Sequence, residues 1–373
     1  MPTQQSVDLI FNPTERLDSY TRFPRHEVDE GEAWEWPFVS VVLPTWREEK
    51  YIGACLQSIL NQDYPPQRLE VIVVDGMSPD GTREIVRRFS RDYPQIKLID
   101  NPDRIQAPGL NRGILASQGS VIVRMDAHTE YSRSYIRTCV RTLQETRSDN
   151  VGGPQRLKAR CFFQRMVACA LGSKLGTGGA GYRHTGQDGF VDTVFLGAFR
   201  REILKRVGLF DPGAITNEDA ELNQRIINSG GKVYLSSEIE CYYYPRDSFR
   251  SLAVQYYRYG RGRARTVLKH GSIMSVRSFA PFLFVFGTLS LLLTGVFFQP
   301  ALWAALAAVG LYSTALLAES ARMALKSGIA CFFMLPLIFM TTHFSHAFGV
   351  AAGLLRYGLN RDWERTPPPK LVD

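Results

Sequence analysis

The sequence predicts an α/β protein with two parts: a cytoplasmic domain built on a Rossmann-like, mainly parallel sheet, then a C-terminal transmembrane helical region. Three observations carry this reading. Between residues 38 and 126, short β-rich runs alternate with stretches of helical length and spacing, the pattern of βαβ units. Beyond residue 278 lie three long runs without Asp, Glu, Lys or Arg. A basic stretch joins the two parts.

The elements follow in order along the 373 residues, whose net charge is +8. Residues 1–36 are a polar extension containing Trp34 and Trp36. They lack the apolar core of a signal peptide, so export of the following domain is not expected. In domain 37–248, "FVSVVLPT" (38–45), "LEVIVVDG" (69–76), "IKLID" (96–100) and "SVIVRMD" (120–126) are the expected strands. "EKYIGACLQSILNQ", "GTREIVRRFSRDY" and "APGLNRGILASQG", the last closed by Gly119, are the helices between them. A further helix is expected from Glu218 to Asn228.

Region 249–277 is expected to be a basic interfacial helix. Residues 246–277 carry eight basic side chains and one acid, which by the positive-inside rule keeps the domain in the cytoplasm. In the membrane region 278–356, the runs 279–298, 301–318 and 329–355 each reach the roughly 18 residues that a span needs. Only Gln299 and Pro300 part the first two, which predicts a tight hairpin. Pro336, His343 and His346 suggest a broken, tilted or re-entrant third segment. Residues 357–373 form a Pro-rich tail. The six Cys show no zinc or CxxC spacing. The stretch 161–176, with Arg165 and Lys174, reads either as an interfacial helix or as core.

In open parallel sheets, ligands bind beyond the carboxyl ends of the strands. Pro44 and Thr45 end the first expected strand, Asp75 the second and Asp126 the fourth, so the two aspartates are expected to share a pocket. No Walker motif and no GxGxxG after the first strand is present to cradle phosphate. A divalent metal bridging phosphate to carboxylate is the alternative. Asp126 and His128 in "VRMDAHT" supply an oxygen and an imidazole nitrogen, which suits Mn²⁺ and is tolerated by Mg²⁺. The plainer reading of the same pair is a turn or a helix cap.

Taken together, these motifs resemble the inverting glycosyltransferases of family 2, which have the GT-A fold. The likeness covers about 38–265. It rests on "PTWREEKYIGACLQSILNQDYP", "EVIVVDGMSPDGT", "VRMDAHT" (a DxD motif with His in third place), "TNEDAELNQRI" and "QYYRYGRGR", in the family's order. The His variant and the trailing helices look most like the bacterial succinoglycan-type glucosyltransferases.

The resemblance implies that Asp75 binds the uracil and ribose end of a UDP-sugar, helped by Glu48 and the Pro44–Thr45 edge. Asp80 either touches the base or only starts a helix. Asp126 and His128 would hold the metal, Asp219 would be the general base and Glu218 its support. Gln255, Arg258 and Tyr259 would serve the leaving diphosphate and the acceptor, with Tyr259 where many relatives have Trp. Gln255 and Arg258, three apart, are expected on one helical face.

The expected activity is metal-dependent transfer of one sugar, glucose first among the candidates, to a polyprenyl-diphosphate-linked saccharide. The expected place is a multi-pass protein of the cell inner membrane in contact with membrane lipid, with no nucleic-acid partner. A processive polysaccharide synthase is the runner-up, disfavoured by the small number of spans. A non-catalytic nucleotide-sugar sensor or transporter subunit is a third reading, disfavoured by the presence of Asp219.

Overall fold

The computed structural model describes residues 36–177, 188–214, 216–270, 276–359 and 368–371. The N-terminal extension, apart from Trp36, and most of the C-terminal tail lie outside the described residues.

Four strands build the parallel half of an eight-stranded sheet: β1 (Val39–Thr45), β2 (Leu69–Asp75), β3 (Ile96–Asp100) and β4 (Val121–Arg124). The small strands β5 (Glu130–Tyr131) and β7 (Gln155–Leu157) flank β6 (Asn150–Gly153) in sequence. After them come β8 (Gly189–Phe190), β9 (Phe195–Arg200), β10 (Val233–Leu235) and β11 (Cys241–Tyr243). The order across the large sheet is β3-β2-β1-β4-β9-β6-β10-β8, and β5-β11-β7 form a second, small sheet. β9 runs antiparallel to both β4 and β6. The sheet is therefore mixed, and its parallel half holds the strand ends that stand out in the sequence.

Helices cover both faces. They are α1 (Ile52–Leu60), α2 (Thr82–Asp92), α3 (Gln106–Leu115), α4 (Tyr135–Glu145), α5 (Phe162–Leu171), α6 (Lys174–Thr177), α7 (Arg201–Val207) and α8 (Glu218–Asn228). Val39, Val41 and Leu43 pack with α1 and α4 residues, whereas Val42 packs with α3 and α8 residues. Burial on both faces explains the continuous apolar run of β1. The helix expected to close at Gly119 ends at Leu115 instead. Gly119 serves a close approach to β1, since a Cβ there would lie 2.5 Å from the Ser40 nitrogen. Only glycine lets the two backbones come this near.

Four helices complete the chain: α9 (Phe249–His270), α10 (Ala280–Gly295), α11 (Gln299–Ser327) and α12 (Ala330–Leu359). Among the described residues α11 and α12 are long and apolar enough to cross a membrane. The first apolar run gives a helix of only 16 residues, about 24 Å long at 1.5 Å per residue. It stops because the chain must reverse before α11. Gly295 backs directly on Leu302, and Phe298 is already extended. The reversal lies at 296–298, and Gln299 and Pro300 open the next helix. The third run is not broken, since α12 continues through Pro336 as one helix. The apolar face of α5 is core, with Met166, Val167 and Leu171 packed among Leu335, Ile338 and Phe339 of α12.

The tightest helix contact joins α9 to α12. A Cβ on Gly260 would lie 2.1 Å from the His346 carbonyl oxygen, and one on Gly349 2.1 Å from that of Tyr257. Small residues of this kind let helix backbones touch. Gly349→Val should therefore lower the thermal midpoint in detergent, by the equivalent of about 3 kcal/mol for a forced side chain. Gly287→Val, where nothing lies within 4 Å, should leave the midpoint unchanged.

Candidate active site

The register of β1 sets the geometry. Thr45 lies opposite Asp75 on one side, and Val42 opposite Arg124 on the other. The chain exits of β2 and β4 therefore flank the end of β1, Asp75 on one side and Asp126 on the other. Beyond β1, β2 and β3 the backbone turns through left-handed residues Arg47 (φ 58°), Met77 (φ 61°) and Arg104 (φ 55°). Long side chains seldom adopt this conformation, and such strain gathers at functional sites.

Asp75 is fully buried. Its Oδ1 accepts from the hydroxyls of Thr45 (3.2 Å) and Ser78 (2.6 Å). Its Oδ2 accepts from the Ser78 amide (2.8 Å) and Arg83 (3.0 Å). Pro44 precedes Thr45, whose carbonyl accepts from the Gly76 amide at 2.8 Å. Asp80 lies just before the start of α2, whose N-cap is Gly81, and accepts from the amide and hydroxyl of Thr82 at 3.2 and 2.6 Å. These hydrogen bonds hold Asp80 at the start of α2.

The centre of the site is Arg124, which in the sequence reads as no more than part of a strand. It is 5% exposed. Its Nη1 donates to Glu218 at 3.1 Å and makes a short contact with the Asp219 carboxylate. Its Nε lies 3.5 Å from Asp126 Oδ1. Glu218 and Asp219 open α8, where the helix dipole favours acids. They are delivered there by Asn217, whose φ of 60° is one that Asn tolerates. Burial alone would depress the guanidinium, but Asp219, Asp126 and Glu218 together carry its pKa well above the usual value. The reverse holds for Asp219. Burial pushes its carboxyl up, Arg124 pulls it down, and the nearby Glu218 and Asp126 push it up again, with a net shift toward neutrality.

His128 meets Glu48, Nδ1 to Oε1 at 3.1 Å. Burial works against protonation of the imidazole, but Glu48 and Asp126 outweigh it and raise its pKa. Glu48 thus stands next to the DxH motif and not at Asp75. Asp126 also accepts from Gln106 at 3.5 Å, and its amide donates to the Tyr131 hydroxyl at 2.6 Å. On α9, Gln255 turns inward and donates to Tyr243 and Tyr259 at 3.1 and 3.0 Å. Arg258 follows three residues later in the same unbroken helix, on the expected common face, and is exposed. The signal that could have revealed the centre is a single Arg inside "VIVR", a strand otherwise fit for burial on both sides.

Arg124→Met should lower the thermal midpoint by the equivalent of about 3–5 kcal/mol, the cost of leaving buried carboxylates unmatched. Arg88→Met, at an exposed position of α2, is the control and should be neutral. Equal midpoints for both variants would show that the carboxylates do not depend on the guanidinium.

Comparison with known proteins accords with this geometry. The family model described as "Glycosyl transferase family 2" matches residues 40–208. The chain is 32% identical over 290 residues to the succinoglycan biosynthesis protein ExoA of Rhizobium meliloti, covering 76% of this chain and 85% of that protein. It is 27% identical over 327 residues to the dolichyl N-acetyl-alpha-D-glucosaminyl phosphate 3-beta-D-2,3-diacetamido-2,3-dideoxy-beta-D-glucuronosyltransferase of Methanococcus voltae, covering 86% of this chain and 98% of that protein. Its fold is similar to that of the mannosyltransferase PcManGT from Pyrobaculum calidifontis, solved with GDP-Man and Mn²⁺. The TM-score is 0.57 and the identity 23%, over 87% of this chain and 88% of that one. The chain belongs to glycosyl transferase family 2: it is a glycosyltransferase with a GT-A domain followed by long apolar helices.

Proposed function

We propose that this glycosyltransferase moves a single sugar, with inversion, from a UDP-sugar to a polyprenyl-diphosphate-linked saccharide. The donor first in line is UDP-glucose, and the product serves exopolysaccharide or other surface-glycan synthesis. One observation carries the reading: Asp219 and Glu218 from α8 meet Asp126 from the end of β4 on one buried cation, Arg124. A base and a phosphate-side carboxylate are thereby held together at the strand ends. The dolichyl-phosphate relative supports a lipid-linked acceptor, and the succinoglycan relative supports a place in exopolysaccharide synthesis. The long helices α11 and α12, with exposed basic side chains of α9 such as Arg258 that suit an anionic lipid surface, support a multi-pass inner-membrane protein whose catalytic domain is cytoplasmic.

In this mechanism Asp219 takes the proton of the acceptor hydroxyl. The acceptor oxygen attacks C1 of the donor sugar from the face opposite the nucleotide. The C1–oxygen bond to the diphosphate breaks as the new glycosidic bond forms, so an α-linked donor gives a β-linked product. A pKa raised toward neutrality makes Asp219 a stronger base than an ordinary carboxylate while leaving it ionised above that pKa. Glu218 holds Arg124 in place. Gln255 and Tyr259 would line the acceptor side with Tyr243, and Arg258 would face the lipid headgroups or the leaving diphosphate. Asp75, Ser78 and Arg83 would form the nucleoside edge, with one partner of Asp75 yielding to the nucleoside.

The donor set fits a divalent metal in part. Asp126 offers an oxygen held only by long contacts of 3.5 Å, and His128 an imidazole whose other side meets Glu48. Among the described residues no three His, Cys, Asp or Glu are arranged so that they could hold a metal ion together, so diphosphate oxygens would complete the shell. A bound Mn²⁺ or Mg²⁺ would offset the charge of the leaving nucleotide.

The deciding experiment offers UDP-glucose, UDP-N-acetylglucosamine and GDP-mannose with extracted polyprenyl-linked saccharides, products being read by mass spectrometry. Nucleotide binding without transfer from any donor would favour a sensor. Asp219→Asn should lower turnover roughly 100-fold, the scale of general-base catalysis, while UDP affinity by calorimetry stays constant. Asp126→Ala should abolish transfer, and full activity of that variant in excess EDTA would reduce the motif to a turn. Because the Asp219 pKa is raised and the base acts deprotonated, turnover should fall as pH drops through a value well above the usual carboxylate range. An acidic limb at the ordinary aspartate pKa would contradict the assignment.

A further inference from the structure

A buried ionic network joins α9 to α8 away from the reacting atoms. Asp211 is 1% exposed and Arg265 3%. Arg265 grips Asp211 with two nitrogens, at 2.9 and 3.1 Å. Lys269, one turn further along α9, bridges Asp211 at 2.6 Å and Glu221 at 2.7 Å. Glu221 is 1% exposed and lies on α8, two residues after Asp219. On its other side it is held by Arg225 at 2.8 Å. Buried ion pairs stabilise little in net terms, but losing one partner is costly, so they fix geometry tightly.

A second contact fixes the start of the same helix. A Cβ on Gly262 of α9 would lie 2.3 Å from the Thr216 hydroxyl and 2.8 Å from the Asn217 amide nitrogen. The Thr216 hydroxyl donates to the Arg258 carbonyl at 2.9 Å, and the Asn217 side chain to that of Tyr259 at 3.0 Å. The two residues before Glu218 therefore lie directly on the α9 backbone, which itself touches α12 at Gly260 and Gly349.

We propose that α9 is the seat of the catalytic helix, with Lys269, Arg265 and Asp211 as positioning residues that set where Asp219 stands relative to the acceptor. The proposal rests on the reading of Asp219 as the base. Seating the base on the helix that packs against the long apolar α12 ties its position to the membrane, from which a lipid-linked acceptor arrives.

The test uses the full chain in lipid nanodiscs, with Lys269→Gln, Lys269→Arg and Asp211→Asn. The readouts are amide hydrogen exchange over 218–228, UDP affinity by calorimetry, and transfer from UDP-glucose or whichever donor the screen selects. For Lys269→Gln, exchange over 218–228 should quicken about tenfold, with the amides of β1 and β2 unchanged. Turnover should fall about tenfold or more while the donor KM and UDP affinity stay within about twofold. Lys269→Arg should restore turnover to within about threefold. A helix that loosens without loss of turnover would overturn the proposal, as would turnover and UDP affinity falling together. If Lys269→Gln does not fold, the milder Asp211→Asn decides by the same pattern. Should the wild type transfer from no donor, the catalytic reading fails, whereas unchanged exchange over 218–228 defeats the seat itself.

Discussion

Arg124 occupies the last position of a strand buried on both faces, and a guanidinium there has to be matched by carboxylates brought from elsewhere in the chain. Leaving such a charge unmatched costs several kcal/mol. Asp126 arrives two residues later on the same strand exit, whereas Glu218 and Asp219 arrive from α8, more than 90 residues away. The match is uneven, three carboxylates to one cation. Burial, with the surplus negative charge of Glu218 and Asp126 added to it, is what raises the Asp219 pKa against the pull of Arg124. The same cluster that holds α8 against the sheet thus raises the proton affinity of Asp219.

Charge fixes α8 against the sheet, and on its other side glycine does what charge cannot. Gly260 and Gly349 bring α9 and α12 into backbone contact, and Gly262 lets the start of α8 rest on α9. Position is passed along contacts too close to slide without a clash. Helix α8 is therefore referenced to the sheet through Arg124 and to the apolar helices through α9.

Much of this was legible in the sequence. The four expected strands appear within two residues of their expected limits, and α8 has the expected limits of Glu218 and Asn228. Periodicity reveals such elements because burial on one face or two leaves a repeating apolar pattern. The mixed half of the sheet was not legible. β8 and β10 have two and three residues, too short to show a period, and β9 is recognisable only by its neighbours. At the site, strand-end aspartates stand out by position. Arg124 does not, because a charged residue in a strand has no meaning until its partners are known, and those lie far off in sequence. Asp75 reads as open to a ligand, yet Ser78 and Arg83 close over it, a consequence of the left-handed turn at Met77. In the third apolar run, Pro336 suggests a break, but neighbouring helices stabilise α12 enough to carry it through.

The far end of α8 is held as firmly as its start. Arg225 donates to the carbonyls of Val207, Gly208 and Leu209, at 2.7, 3.1 and 2.7 Å. The Leu209 amide in turn donates to the Pro369 carbonyl at 2.8 Å, and Leu371 packs on the core that contains Leu222 and Ile226 of α8. The described part of the C-terminal tail, which follows α12 in the chain, therefore docks beside the last turns of α8. A helix with Glu218, Asp219 and Glu221 crowded into its first turn carries internal repulsion that would favour fraying. Arg124 and Lys269 neutralise that turn, while Arg225 and the tail hold the body of the helix. Restraint from the sheet, from α9 and from the tail lets one helix keep acids close enough to raise a pKa without melting its own first turn.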